Sequence, residues 1–106
     1  MNRKKKLDKL MTVFTEEKKF ILDGYYRIRT INEDTIELAY LIAGPCGESI
    51  VHPQITVSLA TKPFPIAIKL IDMVPSPPLF LIRDTNNMDE IDLALDALIE
   101  KFTHLL

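Results

Sequence analysis

From residue 25 to residue 82, apolar side chains return at every second position, in runs separated by short turns rich in Gly, Pro, Asn or Asp. Period two belongs to a strand with one face buried, because successive side chains leave opposite sides of the backbone. No stretch between the runs is long enough to cross over as a helix, which parallel neighbours need. The runs therefore predict an antiparallel meander.

The first strand covers residues 25–31 and ends at Asn32-Glu33-Asp34. In the second, Ile36, Leu38, Tyr40 and Ile42 alternate with Glu37, Ala39, Leu41 and Ala43. Gly44-Pro45-Cys46-Gly47 stops it, since Gly and Pro break a strand conformationally. In the third, Val51, Ile55, Val57 and Leu59 face one way and His52, Gln54, Thr56 and Ser58 the other. After a break at Lys62-Pro63-Phe64-Pro65, Ile66, Ile68 and Leu70 open a fourth strand. Pro75-Ser76-Pro77-Pro78 separates it from a short fifth, residues 79–83.

Helical patterns flank this block. Leu7, Leu10, Met11 and Phe14 are spaced i, i+3, i+4, i+7, and Glu16 to Lys19 are good helix formers, which predicts a helix over 4–21. Asp23-Gly24 would then end it, with Gly24 in a left-handed cap. The same dipeptide also fits a two-residue hairpin turn, but that register sets Lys18 against Arg29 and Phe20 against Arg27, neither a favourable pair. At the other end Ile91, Leu95, Leu98, Phe102 and Leu105 form one stripe, opposite Asp89, Asp92, Asp96 and Glu100. Asn87 and Glu90 have the spacing of a capping box.

The expected fold is α+β: an N-terminal helix, an antiparallel sheet of about five strands and a C-terminal amphipathic helix in a single domain over 1–106. Residues 1–6 form a flexible basic start. Arg3 to Lys6 look like the charged opening of a signal peptide, but Asp8, Lys9, Glu16 and Glu17 interrupt the apolar run that should follow. No stretch of about 20 apolar residues exists to span a bilayer. Cys46 is the single cysteine, so no intrachain disulfide forms, which suits a cytoplasmic protein. A net charge of −2 gives no global pull toward polyanions.

No chemistry announces itself. Cys46 and His52 could act as nucleophile and base across a turn, yet no third group is evident to orient them. The acids of the last helix lie in one row and do not converge as a metal's oxygen ligands must. No cofactor motif is present, and His104 suits a helix C-terminus. The sequence therefore points to a non-enzymatic protein-interaction module, an adaptor, regulator or inhibitor that covers a protein partner, with a homodimer expected from the apolar last strand. Its candidate binding residues are Tyr25, Arg27, Arg29, His52 and Lys69 on a polar sheet face, with Leu93, stranded among the acids of the last helix. The alternative is a nucleic-acid-binding protein using the basic start and the same sheet face.

Overall fold

The computed structural model describes residues 3–60 and 65–106. Among these, α1 (Arg3–Met11) is followed by β1 (Lys19–Ile21), β2 (Gly24–Asn32), β3 (Thr35–Ala43), β4 (Ser49–Ser58), β5 (Ile66–Asp72) and β6 (Leu79–Ile82), then α2 (Met88–Thr103). The strands form one antiparallel sheet in sequence order, β1 to β6. The α+β meander is as the alternation predicts, with six strands instead of about five. The expected break at Lys62-Pro63-Phe64 lies outside the described residues.

Both helices pack on the same side of the sheet. Leu7 and Leu10 of α1 and Ile91, Leu95, Leu98, Ile99 and Phe102 of α2 meet Tyr26, Ile28, Ile36, Leu38, Tyr40, Ile55, Val57, Ala67 and Leu70 in one buried cluster. Charge joins the helices as well. Arg3 grips Asp96 through Nε and Nη2 at 2.8 and 3.0 Å, and Lys6 meets Glu100. Asp92 receives both terminal nitrogens of Arg83, at 2.7 and 2.9 Å. The acidic row expected to be merely solvated thus answers cations from α1 and from the end of β6, and Arg3 to Lys6 of the basic start, expected to be flexible, form the first turn of α1.

The additional strand comes from a correction to the first helix. It ends at Met11, where the Thr12 hydroxyl donates to the Lys9 carbonyl at 2.6 Å. The β-branched and aromatic run Thr12-Val13-Phe14-Thr15 is a poor helix continuation. Phe14 turns inward instead, with its ring 4.9 Å from that of Phe102. Residues 19–21 then form β1, paired with β2 around a turn at Leu22-Asp23, one residue earlier than Asp23-Gly24. That small change alters every pair: Phe20 meets Tyr25, not Arg27, and the two rings stack edge to face at 5.2 Å. Leu22 pays for the tight turn with a left-handed backbone, φ 58°, while the Asp23 N–H donates to the Ile21 carbonyl at 2.7 Å. Gly24 sits inside β2 because a Cβ there would come within 2.5 Å of the Tyr40 ring and 2.7 Å of the Leu41 carbonyl.

The capping box does not form. Asn87 precedes α2 but makes no side-chain cap; its amide donates to the Ile82 carbonyl at 3.0 Å and its oxygen accepts from the Asp84 N–H at 2.9 Å. Asn87 therefore ties the helix to the end of β6.

Candidate functional site: the open face of the sheet

Among the described residues no further layer covers the side of the sheet away from the helices, and its side chains line up in three rungs. Paired residues share a face in an antiparallel ladder, so the registers define each rung. One runs Arg29, Glu37, Thr56, Lys69, Ile82; the next Arg27, Ala39, Gln54, Ile71, Phe80; the third Phe20, Tyr25, Leu41, Val51. The face grades from charged at one end to apolar at the other. Its apolar share exceeds the expectation of a wholly polar surface.

At the centre is a bonded polar group. Arg27 and Gln54 flank Ala39 and close over it, Nη2 donating to Oε1 at 3.0 Å. This bridge is why Ala39, on a face without helices, is fully buried. Arg29 Nη2 donates to Glu37 Oε2 at 3.3 Å and lies 3.2 Å from Oε1, with Arg27 Nη2 3.6 Å from the same oxygen. Glu37 is only 4% exposed. Two guanidiniums offset the cost of keeping its charge there. The fit is nevertheless incomplete: Glu37 Oε1 and Arg27 Nε are buried with no well-aligned hydrogen bond. At the apolar end, Lys18 Nζ lies 4.8 Å above the Tyr25 ring and is bonded to Ser49.

Four of the six residues singled out in the sequence share this face: Tyr25, Arg27, Arg29 and Lys69. His52 does not join them. A bulge between Ala39 and Leu41 places His52 and Pro53 together opposite Tyr40, so the alternation of β4 reverses there. Val51 consequently takes the open face, and His52 turns to the helix side, 2.8 Å from Asp72 and near the Tyr40 ring. Among the described residues no hydrogen bond joins His52 to Cys46, which is exposed in its turn with its backbone N–H donating to Glu48. Leu93 is 70% exposed, but on the outer surface of α2, across the molecule from the other candidates.

Glu37 and Gln54 lie on this face as their alternation predicts, whereas Phe20, Phe80 and Ile82 escaped the sequence reading as members of this site. Phe20 was hidden by the helix expectation. For Phe80 and Ile82 the signal was present, because an apolar strand must show one of its faces to something other than the helices. A shallow apolar cleft at Ser49, Ile50, Val51 and Met73 borders the same region. Among the described residues no group of His, Cys, Asp and Glu is arranged to hold a metal ion, and no helix is long and apolar enough to cross a membrane. Comparison with protein-family models, curated proteins and solved structures finds no match to this chain.

Proposed function

We propose that the chain is a non-enzymatic protein-interaction module of the adaptor, regulator or inhibitor type, acting in the cytoplasm by covering a protein partner with its open sheet face. The observation that carries this reading is the face itself: a layer with a bonded arginine centre and exposed aromatic groups at both margins. Arg, Tyr and Phe are the residue types that anchor protein interfaces, and the rest of such a surface supplies shape. The bridges across Ala39 and Glu37 hold the guanidiniums in place before binding, which reduces the ordering cost of association.

The test is copurification from the native host with the parent and with the Tyr25→Ala/Arg27→Ala double variant. The expected result is a stoichiometric protein partner that the variant loses while retaining its fold. Partner recovery equal to that of the parent would place the binding elsewhere.

One observation favours the second reading, a nucleic-acid-binding protein. The face carries Lys18, Arg27, Arg29 and Lys69 against Glu37, although the chain's net charge is −2. Cations beside a stacked aromatic pair suit a single strand. Binding of an oligonucleotide at physiological salt, lost in the Arg27→Ala/Arg29→Ala double variant, would exchange the two readings.

A further inference from the structure

The two edges of the sheet are not alike. β1 is three residues long with Lys19 within it and Lys18 before it, the kind of short, charged edge that discourages pairing. β6 is Leu79-Phe80-Leu81-Ile82, without a charge or a proline inside it. On the open face Phe80 and Ile82 are 56% and 62% exposed.

The backbone directions along β6 follow from one bond. The Arg83 N–H donates to the Ile68 carbonyl at 2.9 Å, so it points at β5, and with it Leu81 and Leu79. Groups alternate along a strand, and across a trans peptide the C=O opposes the next N–H. The N–H and C=O of Phe80, the N–H of Ile82 and the C=O of Pro78 therefore point outward, away from the sheet. The Ile82 C=O also points outward but is already met by the Asn87 side chain.

We propose that β6 pairs antiparallel with the β6 of a second copy, about a two-fold axis at Phe80. In that register Phe80 exchanges both of its backbone bonds with the Phe80 of the other copy, and each Ile82 N–H donates to the opposite Pro78 C=O. The unmatched position is already closed: Pro78 has no N–H to offer, and the Ile82 C=O it would have met belongs to Asn87. Shifting the axis to Leu81 would instead set the Phe80 N–H against the Ile82 carbonyl that Asn87 occupies. The two-fold register also brings the Phe80 rings side by side on the open face and lays each Ile82 beside a Pro78, covering the most exposed apolar groups of the edge. The two open faces then continue on the same side of one joined sheet. The inference stands on the edge hydrogen bonds alone and does not depend on what the open face binds.

Light scattering and sedimentation at rising concentration test it, together with amide exchange read residue by residue. The expected particle is about 24 kDa, twice the 12.1 kDa chain. The Phe80 and Ile82 amides should become protected as it forms. Phe80→Lys should return the single-chain mass, as should Ile82→Pro, which removes an outward N–H and leaves the β5 ladder its donors. If Ile82→Pro unfolds, the Phe80→Lys mass and the amide exchange still decide. A 12.1 kDa particle at every concentration overturns the proposal. So does a dimer that survives Phe80→Lys, or one in which those two amides exchange as freely as in the dilute chain.

Discussion

The same strands show opposite characters on their two sides. Toward the helices β2 and β3 present Tyr26, Ile28, Ile36, Leu38 and Tyr40, all buried in the common cluster. Toward solvent they present Tyr25, Arg27, Arg29, Glu37, Ala39 and Leu41. Burial on the first side comes from a second layer of structure. On the second side it comes from neighbours in the plane: Arg27 and Gln54 roof Ala39, and Tyr25 and Val51 flank Leu41. A side chain sheltered by its neighbours alone has fewer partners to lose, and water or a partner can replace them. The covered face should therefore carry the stability and the open face the binding.

Phe102→Ala should produce the largest loss. Its ring is fully buried, edge-on to both Phe14 and Tyr26, and such truncations cost about 3–5 kcal/mol. Chemical denaturation checks it, and a loss under about 1 kcal/mol would mean α2 is not part of the core.

A matched pair puts the comparison at direct risk. Leu95→Ala on the covered side and Leu41→Ala on the open side remove the same atoms, and both residues are buried. Leu95→Ala should fall near the upper part of the ~2–5 kcal/mol range and Leu41→Ala near its lower end. Equal losses would show that the open face is as integral to stability as the core.

Gly24→Ala tests the closest approach on the covered side. The added methyl meets the Tyr40 ring and the Leu41 backbone, so overpacking should cost about 1–3 kcal/mol. A neutral result would indicate that Tyr40 swings aside.

Asp92 sharpens the comparison through pH. Burial pushes its carboxyl up, but the bonds and charge of Arg83 outweigh this and hold it below its ordinary value of 3.8. A carboxyl depressed in the folded state adds stability above its unfolded value and loses it as pH falls through the folded one. Denaturation followed from neutral pH to below about 4 should thus show a decline that is shallower in Asp92→Asn. Identical slopes would remove Asp92 as a contributor.

Arg27→Met should be the smallest stability effect, on the order of 1 kcal/mol, because Arg29, nearer to Glu37 Oε1 at 3.2 Å than Arg27 at 3.6 Å, still compensates the buried carboxylate, and methionine still covers Ala39. Its consequence should appear in partner binding. A large loss of stability with binding intact would reverse the roles assigned to the two faces.

Periodicity alone determined the α+β class, the antiparallel order and the buried stripe of α2, because which side chains face a core is a local property of period two or 3.6. It also set Tyr25, Arg27, Arg29 and Lys69 on one face. What the tertiary structure decided were the positions where a one-residue choice moves everything after it. Leu7 to Phe14 and the good helix formers after them favoured a continuous helix, yet the chain gains more by seating Phe14 against Phe102 and pairing Phe20 with Tyr25. Asp23-Gly24 fits a turn in the sequence, but the close approach of Tyr40 draws Gly24 into the strand. His52 followed the alternation until the bulge opposite Tyr40 turned it to the other side. Register, bulges and the pairing of Asp96 with Arg3 depend on contacts between residues far apart in the chain. Local pattern does not encode those contacts, since several registers satisfy the same alternation and only packing selects among them.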